Sequence, residues 1–263
     1  MAERISTGLR DFLAVGGSYK RAFEGGKLKF YTGTQPTSAD SAMSGTLLCT
    51  CTLASGARTE EVRACGTVTV TAVAEGNTIS ALTVDSVSVL DATITAPAGV
   101  TTTTMAALIA ASVNAKMSVP KYTATSSGAV VTIKAAPGTG TGPNGFVVAN
   151  TLGTMTTTLA NFGAGGAAAA GVAGVNGLPF GNIVSGVLSK GTGVWSGVNV
   201  ATGTCGCARL ESTEVDANGT STTLMRLDMS CATSGGDLTL SSTTFTAGAT
   251  HTQSTFDITI PAS

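Results

Sequence analysis

The chain has 263 residues and a formal net charge of -1, and only 11% of its residues are charged. The basic residues are not concentrated in one stretch, so direct nucleic-acid binding is not expected. No apolar run approaches the roughly 18 residues of a membrane span. Aromatic residues make up 5% of a chain rich in Gly, Ala, Ser and Thr. This composition disfavours a helical enzyme core and favours short strands joined by tight turns.

A short helix is predicted near the N-terminus at residues 7–15, and a second turn at residues 19–23. Each is followed by a glycine pair, which is a natural helix stop. Helices of this length do not persist in isolation. Two interpretations stay open: an arm that tethers one subunit to another, or a cover for an edge of the chain's own sheet.

A strand, a loop and a second strand follow. Residues 28–32 alternate in polarity, as in a half-buried strand. Gly, Pro, Asp and Ser in residues 33–44 predict a surface loop. Residues 46–53 alternate again, and one face of this strand is expected to belong to the core: Leu47, Cys49, Cys51 and Leu53.

Residues 66–176 differ in composition and predict a separate module. Alternating segments predict strands, and one segment with apolar residues at helical spacing predicts a helix. The strands are expected at residues 67–71, 79–84, 86–90, 122–125, 129–134 and 146–151, and the helix at 103–116. This order predicts a small α+β domain. It ends in a Gly/Ala-rich linker at residues 160–177, too glycine-rich to hold a helix.

The remaining residues predict seven short strands separated by Gly-rich turns: 183–188, 194–200, 203–211, 224–232, 238–240, 243–246 and 255–260. Such spacing is typical of an antiparallel sandwich. The predicted fold is mainly β: an antiparallel β-sandwich host domain, residues 1–65 and 177–263, with residues 66–176 as an inserted α+β domain. Trp195 lies in a predicted strand and is expected to anchor the core, with a contact between subunits as the alternative.

Six cysteines are the candidate site residues: Cys49, Cys51, Cys65, Cys205, Cys207 and Cys231. They include two C-x-C pairs, and a strand is expected to place both thiols of each pair on one face. Three interpretations stay open. A zinc site fits the spacing poorly and has no histidine nearby. Reduced thiols can fill the core. Disulfides, within or between subunits, can form outside the reducing cytoplasm.

No catalytic, cofactor or metal site is predicted. His251 is the only histidine and falls in a predicted turn, without a nucleophile motif nearby. The glycine-rich residues 138–145 lack the Lys-Ser/Thr pair and the helix of a phosphate-binding loop. Glu211, Glu214 and Asp216 are the only carboxylate cluster. A solvated turn is favoured there over a calcium site, because dense alternating oxygen ligands are missing.

Two parts of the chain carry recognisable motifs. The first comprises STGLR at residues 6–10, GGSYK at 16–20 and YTGTQPTSADSAMSGTLL at 31–48. The second comprises GVWSGVNVATGTCGCARL at residues 193–210, followed by residues 234–263. Together they resemble a recurrent family of tailed-bacteriophage virion structural proteins. Residues 66–176 resemble, more loosely, an insertion that recurs in phage structural proteins.

The resemblance implies a non-enzymatic virion structural protein, made in the host bacterial cytoplasm and located in the virion. A capsid decoration or cement protein is the first expectation. Its partners would be the major capsid protein and copies of itself, for example in a trimer, and low surface charge also favours association. A tail, neck or fibre component is the alternative within the same class. A host-surface carbohydrate-binding module is the alternative from another class, and the scarcity of aromatic residues argues against it.

Overall fold

The computed structural model describes residues 3–14 and 16–259. The fold is mainly β, with 40% strand and 11% helix, as the sequence predicts. The chain divides into two compact units, Met1–Glu61 with Gly174–Ser263, and Val62–Ala173. The predicted ends of the first helix and the last strand, Val15 and Ile260, lie outside the described residues. Within the described ranges, no helix is long and apolar enough to cross a membrane.

The first unit opens with two short helices that lie against its own core. Leu9, Phe12 and Phe23 are at most 9% exposed and belong to that core. The Ser18 hydroxyl accepts a hydrogen bond from the backbone N–H of Arg21 and caps the second helix. The elements are β1 (Arg4–Ile5), α1 (Thr7–Ala14), α2 (Tyr19–Phe23), β2 (Lys27–Thr32) and β3 (Leu47–Leu53).

The second unit, Val62–Ala173, contains one helix and eight strands among its described residues. They are β4 (Cys65–Ala72), β5 (Thr78–Val84), β6 (Val87–Ser88), β7 (Ile94–Thr95), α3 (Thr102–Ala115), β8 (Thr123–Ser127), β9 (Val130–Lys134), β10 (Val148–Gly153) and β11 (Thr156–Ala160). Two antiparallel sheets result, β10-β5-β6 with β7 beside β5, and β11-β4-β9-β8. A capping box between Thr101 and Thr104 starts α3, which buries Met105, Ile109 and Val113. The sequence does not predict β7 or β11.

The first unit resumes after Gly174 with nine strands: β12 (Phe180–Val184), β13 (Val187–Lys190), β14 (Trp195–Val198), β15 (Gly203–Glu211), β16 (Arg226–Ala232), β17 (Leu238–Thr239), β18 (Thr244–Phe245), β19 (Thr250–Gln253) and β20 (Asp257–Thr259). The single strand predicted at residues 183–188 is wrong. A hairpin turn interrupts it, because Ser185 (φ 49°) and Gly186 (φ 77°) both take the left-handed conformation of a tight two-residue turn.

Nine strands of the first unit form one sheet, in the order β1-β16-β15-β2-β3-β14-β19, with β17 beside β16 and β18 beside β15. A three-stranded sheet, β12-β13-β20, contributes Phe180 and Ile258 to the same core as Phe30 and Trp195. Trp195 is 0% exposed, and its ring centroid lies 5.0 Å from that of Phe180 and 5.2 Å from that of Phe256. The prediction that Trp195 anchors the core is confirmed.

The chain ends of each unit pair with one another where the chain passes between the units. In the first unit, the N–H of Thr59 donates to the carbonyl of Val175 (3.3 Å), and the reverse bond measures 3.2 Å. In the second unit, Val62 and Val172 exchange two backbone hydrogen bonds of 3.0 and 2.8 Å. In each unit, the segment where the chain leaves and the segment where it returns therefore lie side by side.

Candidate functional site

The large sheet has one apolar face and one charged face. Along β15, Ala208 and Leu210 belong to the hydrophobic core, and the alternate residues Arg209 and Glu211 lie on the opposite face. The strands β2 and β16 alternate in the same way. Together with one carboxylate from the loop after β15, these side chains form what we call the charged layer: Lys27, Lys29, Arg209, Glu211, Asp216, Arg226 and Asp228.

Two arginine–aspartate pairs form the centre of the charged layer. Arg209 donates to both carboxylate oxygens of Asp228, through Nε at 2.7 Å and Nη2 at 2.8 Å. Arg226 donates to both oxygens of Asp216, through Nε at 2.6 Å and Nη2 at 2.7 Å. Arg209, Arg226 and Asp228 are 0% exposed and Asp216 is 8% exposed. Both pairs are bidentate and shielded from water, which is the strongest geometry for such an interaction.

The same guanidinium groups hold two loops over the sheet. Arg209 Nη2 donates to the carbonyl of Ser41 at 2.8 Å, and Arg226 Nη1 donates to that of Asp40 at 3.3 Å. Arg226 Nη2 also donates to the carbonyl of Gly219 at 2.8 Å. Loop carbonyls thus accept protons of Arg209 Nη2 and of both terminal nitrogens of Arg226, whereas Arg209 Nη1 is buried without a hydrogen-bond partner among the described residues. The two loops, residues 33–46 and 212–225, are tied to the sheet by these bonds.

The loop after β2 also fixes the N-terminal helix. The carboxylate of Asp40 accepts hydrogen bonds from the backbone N–H of Thr7 (2.8 Å) and from its hydroxyl (2.7 Å), at the first residue of α1. Burial raises the pKa of Asp40, but the two bonds from Thr7 and the charges of Arg10 and Arg226 together lower it overall. Gln35 from the same loop donates to the carbonyl of Asp228 at 2.7 Å.

Glu211 lies at the end of the charged layer between two lysines. Its carboxylate oxygens are 2.8 Å from Nζ of Lys29 and 3.4 Å from Nζ of Lys27. Lys27 also contacts Glu60 at 2.6 Å, and Arg58 pairs with Glu60 in turn. Burial raises the pKa of Glu211, and the two lysines only partly offset this. The row of alternating charges continues from the sheet to the segment after β3.

The solvated turn predicted for the carboxylate cluster is wrong for Glu211 and Asp216, whereas Glu214 is half-buried in the segment after β15. Glu211 is 1% exposed and Asp216 is 8% exposed, and each faces a cation inside the unit. Burial raises the pKa of Asp216, but hydrogen bonds from Arg226 reverse the shift and lower it. The carboxylates therefore compensate buried arginine and lysine charges. Across the described residues, no group of three or more His, Cys, Asp or Glu side chains is placed to hold a metal ion.

All six cysteines are free and buried. Cys49 and Cys51 on β3 are both 0% exposed and face the core of the first unit, as the sequence predicts. Leu47 and Leu53 on that strand are only half-buried, whereas Leu48 is 0% exposed. The predicted core face of β3 is thus right for its cysteines and wrong for its leucines. A bond between subunits requires a thiol at the surface, and no cysteine is more than 8% exposed.

The second C-x-C pair does not lie on one face, contrary to the prediction. Cys205 pairs with Thr32 and Cys207 pairs with its neighbour Tyr31, so β15 has one extra residue, Gly206, at a β-bulge. Cys205 belongs to the main core, and Cys207 packs with Tyr31 in a separate small cluster. Burial raises the pKa of the Cys207 thiol to about 12.

The remaining two cysteines lie on different elements. Cys231 is on β16 and belongs to the main core of the first unit. Cys65 begins β4 in the second unit, where its thiol donates to the carbonyl of Ala167 (3.2 Å) and accepts from the N–H of Ala169 (3.1 Å). The structure therefore does not gather the six thiols into one site.

His251 lies in strand β19, and the turn predicted for it is wrong. Its ring stacks on Phe245 with centroids 4.5 Å apart and meets the edge of Phe30 at 4.7 Å. Burial lowers the pKa of His251, and a hydrogen bond with Gln253 opposes this shift. The ring contributes to the aromatic packing of the sheet, which is a structural role.

No family model, no curated protein sequence and no solved structure matches the chain. The charged layer is therefore interpreted from its own geometry: paired charges that hold loops and a helix against a sheet. Sequence reasoning missed Arg209, Arg226 and Asp228. The signal was present, because Arg209-Leu-Glu211 and Arg226-Leu-Asp228 alternate charged and apolar residues within predicted strands.

Proposed function

We propose that this chain is a non-enzymatic structural protein of a tailed-bacteriophage virion, and that it decorates or cements the head by binding the major capsid protein. One observation carries the proposal. The motif-bearing residues 31–48 include the end of β2 and the start of β3, and residues 193–210 include β14 and most of β15. Because β15 pairs with β2 and β14 pairs with β3, both motif blocks belong to four neighbouring strands, β15-β2-β3-β14.

The charged layer suits a mechanical role. A head protein must keep its shape while packaged DNA exerts pressure on the shell. Buried bidentate pairs and loop carbonyls fix the segments that cover the sheet, so they move little under load. The stabilising contribution of this protein would come from subunits that bridge neighbouring capsomers.

The exposed surface of the first unit supports association. Val194, Val198 and Val200, in and beside β14, are 52%, 53% and 66% exposed. Apolar surface of this kind contributes roughly 25 cal/mol for each Å² that a partner covers. With 11% charged residues in the chain, few charges oppose such contacts. The partners proposed are the major capsid protein and further copies of this chain, in a homo-oligomer such as a trimer.

The copy number of the protein in purified particles tests this function. Quantitative mass spectrometry would measure it against the major capsid protein. A copy number within a few-fold of the major capsid protein is expected for a decoration protein. A few dozen copies or fewer would refute the head role and indicate a tail, neck or fibre component. Absence from purified particles would refute the virion role altogether.

We also propose that the first unit is a β-sandwich host and that the second unit is an insertion that folds by itself. The paired chain ends support this, because Thr59 and Val175 are already joined by two hydrogen bonds in the first unit. Replacing Val62–Ala173 with a short glycine linker should leave a host that unfolds cooperatively, measured by the fluorescence of Trp195. A shortened chain without a cooperative transition would contradict the insertion.

A further inference from the structure

The strands β15 and β16 separate at a fork, and two cysteines lie there. The two strands pair from Glu211–Arg226 to Cys207–Ser230. Beyond that point, Gly203 and Thr204 of β15 pair with β18, and Cys231 and Ala232 of β16 pair with β17. Beyond the last pair that the two strands share, the first residue that faces the core is Cys205 on β15 and Cys231 on β16.

The bulge at Gly206 brings these two thiols to equivalent positions. Core-facing residues of the two strands pair as Leu210 with Leu227 and Ala208 with Met229. The next core-facing residue on β16 is Cys231. Because Gly206 is the extra residue on β15, the next core-facing residue there is Cys205. Both cysteines belong to the same buried core cluster. A hydrogen bond with Cys205, followed by burial, raises the pKa of the Cys231 thiol.

We propose that Cys205 and Cys231 are a site of covalent modification: they form an intramolecular disulfide when the protein meets a small organic disulfide outside the reducing cytoplasm. The Cys205 thiolate attacks one sulfur of that reagent and releases one thiol. The Cys231 thiolate then attacks the mixed disulfide and releases the second thiol. Two electrons pass from the cysteines to the reagent, and the two cysteine protons end on the released thiols.

The other thiols are placed less favourably. Cys49 and Cys51 also share a hydrogen bond, which lowers the pKa of Cys49. They are two residues apart on one strand, so their Cβ atoms point the same way about 6–7 Å apart. A disulfide needs Cβ atoms about 3.5–4.5 Å apart. Cys205 and Cys231 lie on neighbouring antiparallel strands just beyond their last shared pair, so the fixed separation of two residues on one strand does not hold them apart.

Peptide mapping of the full-length protein tests the proposal. The reduced protein would be incubated with hydroxyethyl disulfide, its remaining thiols alkylated, and the chain digested with trypsin. Cys231 falls in the tryptic peptide 227–263, and Cys205 and Cys207 fall together in peptide 191–209. A linked pair of these peptides is expected, with the loss of two of the six free thiols. The variant Cys207→Ala should retain the link, whereas Cys205→Ala and Cys231→Ala should lose it.

Three outcomes would overturn the proposal: six alkylated thiols in the treated wild type, a bond between Cys49 and Cys51 in place of the proposed one, or a link that disappears in Cys207→Ala. The decisive species are the wild type and Cys207→Ala, so the result does not depend on whether Cys205→Ala folds. The disulfide would form within one chain, whatever the position of that chain in a virion.

Discussion

Removing Asp228 measures how much the charged layer stabilises the first unit. Asp228 and Arg209 are both 0% exposed and share two hydrogen bonds of 2.7 and 2.8 Å. In Asp228→Ala, the guanidinium of Arg209 stays buried and loses both bonds. Breaking a buried pair from one side costs about 3–5 kcal/mol. That is a large share of the roughly 5–15 kcal/mol that keeps a typical domain folded.

Urea unfolding followed by the fluorescence of Trp195 measures this loss, because the single tryptophan lies in the core of the first unit. With a urea dependence of about 2 kcal/mol/M, the midpoint should fall by roughly 2 M. Asp257→Ala is the matched control, since Asp257 is exposed on β20. Its free energy of unfolding should stay within about 0.5 kcal/mol of the wild type.

A double variant distinguishes the cost of the unpaired buried charge from the cost of the lost side-chain volume. Arg209→Met combined with Asp228→Leu removes both buried charges, so most of the stability should return. Recovery should be incomplete, because the carbonyls of Ala39 and Ser41 lose the donor that Arg209 supplies. The reasoning is refuted if Asp228→Ala behaves like Asp257→Ala, or if the double variant is no more stable than Asp228→Ala.

Two further variants test the loop and the bulge. Asp40→Ala should cost about 1 kcal/mol at pH 7 by removing the bonds to Thr7. The pKa of Asp40 is lowered in the folded state. The stabilisation by its carboxylate is therefore fully present above the unfolded-state pKa of about 3.9, and it is lost as the pH falls through the folded-state pKa. In urea titrations from about pH 5 to pH 3, the difference in the free energy of unfolding between Asp40→Ala and the wild type should therefore become smaller. A difference that stays constant would contradict the role of the Asp40 carboxylate. In Gly206→Ala, the new Cβ would lie 2.1 Å from the carbonyl oxygen of Gly33, at a cost of about 1–3 kcal/mol. Gly219→Ala meets no atom within 4 Å, and equal melting temperatures for the two variants would disprove the steric argument.

The mainly β class follows from local patterns, but several elements depend on distant partners. Strand β19 has the sequence Thr-His-Thr-Gln, which shows no apolar alternation. It forms a strand by pairing with β14 and by stacking His251 on Phe245. The faces of Cys205 and Cys207 depend on a bulge opposite Thr32 and Tyr31. The residues next to these cysteines do not indicate which distant strand pairs with them.

The charged layer shows a second limit of sequence reasoning. A charged residue at every second strand position ordinarily indicates a face open to solvent. Here the sequence places Arg209, Glu211 and Arg226 on the correct face, but residues 33–46 and 212–225 cover it. The covering segments are polar and turn-rich, which is also the pattern of a free surface loop. Burial of the charges follows only from the tertiary arrangement.

The order of strands in the large sheet determines when the chain can fold during synthesis. The hairpin of β2 and β3 leaves the ribosome early, yet its neighbours on either side, β15 and β14, are made only after the whole second unit. Until then both edges of the hairpin lack partners, and unpaired edges are prone to join other chains. Contacts between such distant segments also form slowly. The N-terminal hairpin therefore gains both of its neighbouring strands only after the C-terminal part of the chain has been made.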